Sequence, residues 1–288
     1  MSDLDLAASY RLRPDLRLVL HGTTVAEYVV EPEIDQRFGP RPYLHPVRTL
    51  GGVVVTDVLP ADHRWHLGVS VTMPDVSGTN LWGGRTYRRD SGYRWRNDHG
   101  RIVPDGWRWR HATGFAQRLR WLDPRGRTLL IEQRTVEAVP LPDRADVWRL
   151  DFAFTLTAPA DRSVVLGSPA TNGRPGGAGY GGFFWRAAPG DHATFTAGAE
   201  GEERLNGSAQ PWLALAGTDV RGRAYTLVFT GLGADDRWFV RTGIYPGVCA
   251  ALAFEHPRRL AAGQELRRRH HVYVADGWWS RHRVAELL

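Results

Sequence analysis

The chain has 288 residues, 42% of them apolar, which suits a large β-sandwich or barrel with a sizeable core. Its formal net charge is +6, yet all 37 basic residues are arginines scattered among 31 acidic ones, and a nucleic-acid footprint would cluster its cations on one face, so no nucleic-acid partner is expected. The single cysteine, Cys249, excludes an internal disulfide framework and a cysteine-based zinc site; within Val248-Cys249-Ala250-Ala251-Leu252 it reads as a small buried hydrophobe.

The first residues, MSDLDLAASYRLR, have no apolar stretch behind a basic start, so no secretory leader is expected. No apolar run approaches the ~20 residues that span a bilayer, so the expectation is a cytoplasmic protein with no membrane partner. Leu16 to Leu20 and Val25 to Val30 read as an opening strand pair around the turn His21-Gly22-Thr23. The stretch Arg41 to Arg85 follows, and the chemistry concentrates there. Its run Gly52-Val53-Val54-Val55-Thr56 is short and β-branched, which predicts a buried strand over Val53 to Thr56. Leu59-Pro60-Ala61-Asp62 predicts a proline turn, leading through His63-Arg64-Trp65-His66 into a second strand, Leu67 to Met73.

Further strands are predicted at Phe115 to Trp121 and Thr128 to Val136, joined by the turn Asp123-Pro124-Arg125-Gly126. Trp148 to Leu156 follows, with strict alternation from Leu150 onward, and then Ser163 to Gly167, Ala193 to Ala197 and Trp212 to Gly217. Tyr225 to Gly231, Phe239 to Thr242, Val248 to Glu255 and Leu266 to Val274 complete the set. Only Ser280 to Leu288 carries a helix signal, with Ser280 as its cap. No fixed-period repeat and no linker divides the chain. It is read as one all-β domain over 1–288, a large antiparallel two-sheet β-sandwich.

Three constellations carry possible chemistry. His45, His63 and His66 lie in the histidine-bearing stretch; His63 and His66, three apart, would face opposite ways in a strand and can share a pocket only in a turn. Beside Asp62 they read as metal ligands, as an acid whose tautomer Asp62 fixes, or as structural imidazoles. The glycine-rich Asn172 to Arg186 contains Gly-x-Gly spacings, but strand formers Phe183-Phe184-Trp185 follow in place of a capped helix, so a dinucleotide fingerprint is rejected. Absence of lysine removes a P-loop and Schiff-base chemistry, and no cofactor is expected. The loop carries Arg174, Tyr180 and Arg186, which suit recognition of hydroxyls or a carboxylate, or form a plain surface turn. Third, Glu255 closes an apolar run near Arg241; it is either a rim carboxylate paired with an arginine or a partly buried base. The 12 Trp, 10 Phe and 9 Tyr are enough both to fill a core and to line a sugar groove, with Trp82 as a candidate stacking platform and Arg85 beside it.

The strings RPYLHPV, GVVVTD, DHRWHLGV, NLWGGRTY, GYGGFFWR, WFVRTGIYPGV and LAAGQELRRRHHVYVADG together resemble the family labelled PmoA-like, or methane oxygenase PmoA, a domain of unknown function. That label implies a metal-dependent oxygenase or hydrolase working through His45, His63 and His66. More loosely, the tail from Glu255-His256-Pro257 through Ala262-Gly263-Gln264-Glu265 is similar to the close of galactose mutarotase-like proteins. This second resemblance implies a super-sandwich with Glu255 as base and histidines such as His66 or His63 as acid. The resulting expectation is a protein that binds a small carbohydrate in a cleft, with substrate contacts from His45, Trp82, Arg85, Arg174, Tyr180 and Arg241 and with no metal assigned. The reaction, if any, is epimerisation, ring opening, or elimination or hydrolysis of an oxidised sugar; the alternative is a non-catalytic sugar-binding subunit beside a sugar oxidoreductase.

Overall fold

Strand Val147–Thr157 turns Trp148, Leu150, Phe152, Phe154 and Leu156 inward and leaves Arg149, Asp151 and Thr155 half-exposed, and the whole molecule is built from this period of two. The computed structural model describes residues 14–288, so the reading of MSDLDLAASYRLR lies outside the described residues. Strands make up 49% and helix 5%, against roughly a third helix in an average globular chain, and the expected all-β class holds.

An eight-stranded antiparallel sheet runs in spatial order His192–Phe195, Trp212–Thr218, Ala224–Thr230, Glu265–Asp276, Val147–Thr157, Thr128–Pro140, Gly114–Leu122 and Arg101–His111. A seven-stranded antiparallel sheet runs Leu16–Leu20, Thr23–Val29, Tyr43–Val47, Val69–Thr72, Gly182–Arg186, Gly247–Ala251 and Arg237–Arg241. Their apolar faces meet in one buried cluster. Rings touch across it: Tyr28 on Phe115 at 4.3 Å, Phe152 on Phe183 at 5.0 Å and Trp185 on Phe229 at 5.6 Å. Arg258–Leu260, Val164–Gly167 and Asp75–Val76 form a small third sheet, and Thr86–Arg88 pairs with Gly92–Arg94 as a hairpin. Helix Arg281–Leu287 begins as expected at Ser280, whose Oγ accepts the Arg283 N–H. Among the described residues no helix is long and apolar enough to cross a membrane.

Two expected strands are corrected. Val53 to Thr56 is largely buried but forms no strand; Val54 makes a single bridge to Arg48, and the Val55 carbonyl accepts the indole N–H of Trp185. The strand expected to end at Glu255 stops at Ala251. There the Leu252 N–H donates to the Gly181 carbonyl, and the chain bends so that Phe254 packs in the cluster holding Trp82, Phe184 and Phe239. Burial of Phe254 thus outweighs continuation of the ladder.

Candidate functional site

The same alternation that builds the core also builds the face opposite it. In Gly182–Arg186, Phe183 and Trp185 enter the core while Phe184 and Arg186 take the other side. In Gly247–Ala251, Val248 and Ala250 go inward, Cys249 and Ala251 outward; in Arg237–Arg241, Trp238 and Val240 go inward, Phe239 outward. Around Phe184, Phe239, Cys249 and Ala251 the outer face of the seven-stranded sheet is therefore apolar, and Trp65, Trp82 and Tyr180 pack on it. A cavity of about 1040 Å³ opens there, at the upper end of the roughly 300–1,000 Å³ usual for small-molecule sites.

One wall is the loop between Asp57 and Gly68. Its backbone is pinned by four bonds: Leu59 N–H to His66 O, His63 N–H to Pro60 O, His66 N–H to His63 O, and Gly68 N–H to Asp57 O. This is the turn that two histidines three apart require, and their rings stack at 4.7 Å. His63 Nδ1 lies 2.8 Å from Asp62 Oδ2. Burial alone would raise the Asp62 pKa, but the His63 hydrogen bond and the Arg186 charge hold it below the usual carboxylate range. His66 is 1% exposed; burial, with the nearby His63 and Arg186 charges, holds its pKa well below the usual value, so its ring is neutral. Arg186 lies beneath, 3.4 Å from His66 Nδ1, 3.5 Å from Asp62 and 3.6 Å from Asp57, with its guanidinium over the Tyr245 ring at 5.0 Å. Since arginine can only donate, His66 Nδ1 accepts and its proton sits on Nε2.

A second wall is a chain of hydroxyls. Arg174 Nη1 donates to Tyr93 OH at 2.5 Å, and Tyr93 OH is 3.0 Å from Tyr180 OH. Burial keeps both phenols protonated, pushing Tyr93 up and Tyr180 well up. Arg241 pairs with Glu202 at 3.4 Å and lies over Phe239. Under the cavity Arg41 is 0% exposed. It donates to Ser70 Oγ at 3.1 Å and to the carbonyls of Gly39 at 2.8 Å, Trp82 at 3.0 Å and Trp65 at 3.0 Å, tying together the two loops that present those indoles. Burial lowers its pKa to about 9, so it remains a cation at neutral pH. Gly84, at φ +72°, lies against the Trp65 ring; a Cβ there would come within 2.6 Å of it.

Of the residues expected at a site, His63, His66, Trp82, Arg85, Arg174, Tyr180 and Arg241 all line this cavity. His45 does not; it sits half-buried on Tyr43–Val47, bonded through Nδ1 to Thr56 Oγ1 at 2.9 Å, and burial brings its pKa down to about 4. Glu255 does not either: it lies exposed on the bend after Ala251. The expected grouping of His45, His66 and Glu255 is therefore not formed. Nor do His45, His63 and His66 form a metal-ligating set: among the described residues no three His, Cys, Asp or Glu side chains converge. Sequence reasoning missed Tyr93, Trp95, Arg64, Trp65 and Tyr245, all of which line the cavity. The Tyr93-x-Trp95 alternation after Ser91-Gly92 was the available signal for a hairpin arm.

Fold and site define a large antiparallel two-sheet sandwich with an aromatic, arginine-rich cavity on the outer face of one sheet. The chain belongs to a family of unknown function, DUF6807, whose model matches residues 15–288. No curated protein matches it. Two solved structures are similar to parts of it. One is the α-galactosidase from Lactobacillus brevis, with 14% identity, a TM-score of 0.33, and coverage of 66% of this chain and 28% of that one. The other is a mutant of the heparan sulfate lyase HepC from Pedobacter heparinus, with 14% identity, a TM-score of 0.25, and coverage of 62% and 22%. This chain thus spans less than a third of the length of either.

Proposed function

We propose that this is a carbohydrate-active protein that binds a sugar or glycoside in the cavity and moves a proton on it. The observation that carries this reading is the Asp62–His63 pair set in the wall of an aromatic cavity of sugar size. Indole and phenol faces from Trp65, Trp95 and Tyr180 stack on a pyranose ring, replacing water with dispersion contacts, while Trp82, 2% exposed, packs behind them as support. With Asp62 accepting from Nδ1–H, His63 keeps a lone pair on Nε2, and the carboxylate stabilises the imidazolium formed when Nε2 takes a proton. His66, 1% exposed and neutral, stacks on the His63 ring and holds it in place. Tyr180 and Tyr93, oriented by Arg174, supply the proton that is returned. Base and donor on two walls suit epimerisation, ring opening or elimination. His63 thus takes the role of base that the mutarotase-like tail implied for Glu255.

The test is an NMR screen for anomer exchange or elimination on reducing sugars, glycosides and keto-sugars. His63→Gln is expected to lower turnover by about 10²–10⁴-fold while sugar affinity changes only a few-fold. Asp62→Asn should cost about 10–100-fold through lost orientation. Glu255→Gln should leave turnover unchanged. Turnover that survives His63→Gln would discard the dyad, and binding without any turnover would make the protein a non-catalytic sugar binder.

A further inference from the structure

Resting on the sugar-binding reading, we propose that the ligand is an acidic saccharide, bearing a carboxylate or sulfate, and that Arg64 and Arg85 receive its anionic group. A neutral sugar presents hydroxyls that both donate and accept, and a site for it supplies acceptors as well as donors. Guanidinium, indole N–H and imidazole N–H groups donate, and these dominate here. Among the described residues, the side chains lining the cavity include five arginines, Arg37, Arg64, Arg85, Arg174 and Arg241, and no Asn, Gln or Glu. Asp62 is their single carboxylate, and it is already engaged by His63 and Arg186.

Charge accounting points the same way. Arg37 pairs with Asp35, Arg241 with Glu202, and Arg186 with Asp57 and Asp62. Arg64, Arg85 and Arg174 line the cavity yet form no ion pair with any described residue. Below them Arg41 is wholly buried, held by a hydroxyl and backbone carbonyls with no counter-ion among the described residues. An isolated cation out of water is a costly arrangement that a bound anion relieves, because the low-dielectric surroundings that penalise the charge also strengthen its attraction for an opposite one. Of the unpaired three on the lining, Arg174 is spent on Tyr93, whereas Arg64 and Arg85 have no hydrogen-bond partner among the described residues. A planar guanidinium meets carboxylate or sulfate oxygens with two parallel bonds. Arg64 directly follows His63, and Arg85 follows Gly83-Gly84 of the Trp82 loop. The anionic group is thereby received by the element that carries the base and by the loop whose buried Trp82 backs the cavity.

The experiment is titration of the wild-type chain, followed by calorimetry and by quenching of the cavity tryptophans, with matched pairs. These are methyl glucuronide and methyl glucoside, galacturonate and galactose, and a sugar sulfate with its unsulfated parent. Acetate and inorganic sulfate serve as sugar-free anions. The acidic member of a pair is expected to bind at least about 10-fold more tightly at low salt, with the preference shrinking as salt is added. Arg85→Ala and Arg64→Ala should each remove most of that preference while changing neutral-sugar affinity by less than about 3-fold. Arg64→Gln and Arg85→Gln, with melting curves, guard against a folding defect. A preference for uronates alone or for sulfates alone supports the proposal and names the group. Equal or tighter binding of the neutral members overturns it and leaves the sugar site standing. Sugar-free anions bound as tightly as acidic sugars, or a preference that survives both substitutions, also overturns it. Failure of every sugar to bind removes the sugar reading itself.

Discussion

His270 shows how one side chain sets an acid limit on this fold. It enters the core from Glu265–Asp276, is 1% exposed and stacks on Phe183 at 4.8 Å, and among the described residues neither ring nitrogen makes a hydrogen bond of normal geometry, the Thr230 backbone lying nearby. Burial takes its pKa from 6.5 down to about 4. Between those values the unfolded chain binds a proton that the folded chain refuses. The stability linked to this group is therefore full above pH ~6.5 and is lost as pH falls toward 4. His270→Phe keeps the ring and removes both the linkage and the unsatisfied nitrogens. It should raise Tm at pH 7 and widen the advantage by about 2 kcal/mol at pH 5. Melting curves against pH decide it; a variant whose acid slope matches the wild type would acquit His270. At the site, His63, His66 and Asp62 were legible because a proline turn concentrates titratable groups in a short stretch. Glu255 misled because the apolar run past Ala251 gives no mark of where pairing stops, and that is settled by the long-range burial of Phe254. Tyr93 and Trp95 are flanked by the arginines of Arg88 to Arg96, and it is the long-range placement of the hairpin of Thr86–Arg88 and Gly92–Arg94 that brings them to the cavity.

Two hairpins of the eight-stranded sheet share one device. Asp123-Pro124-Arg125-Gly126-Arg127 and Asp219-Val220-Arg221-Gly222-Arg223 each bury an aspartate whose Oδ1 accepts two backbone N–H groups and whose Oδ2 accepts the second arginine's Nε. Replacing either Asp123 or Asp219 with Ala strands those donors and should cost about 1–3 kcal/mol. Two strands separate the hairpins and their turns lie at opposite ends of the sheet, well over about 14 Å apart, so the double variant should match the sum of the singles within ~0.5 kcal/mol. Urea unfolding of the four chains measures this, and strong non-additivity would mean that the turns share more than a motif. Pro124 made the first turn readable, while the second lacks that cue. Strand Arg101–His111 escaped notice because Pro104 and Gly106 break its pattern. It survives as an edge strand, paired on one side only and with register shifts on either side of Trp107. Val53 to Thr56 failed in the opposite sense: strong β propensity, but a backbone acceptor claimed by the Trp185 indole.

One apolar cluster draws on both large sheets from Leu18 to Val274, so the described chain should unfold in a single step. Far-UV dichroism and tryptophan fluorescence should trace the same curve; a separate early transition would divide the chain into two units. The strand order adds something that the finished molecule conceals. Glu265–Asp276, the last strand in sequence, lies between Ala224–Thr230 and Val147–Thr157 at the middle of its sheet. A ribosome adding about 5–20 residues per second delivers every other strand first. Until the last one emerges, the nascent sheet is two halves, each with a long bare edge open to pairing with a neighbouring chain. A ribosome that stalls before residue 265 would therefore hold a sticky intermediate that chaperones must cover, and the final dozen strand residues act as the closing seam.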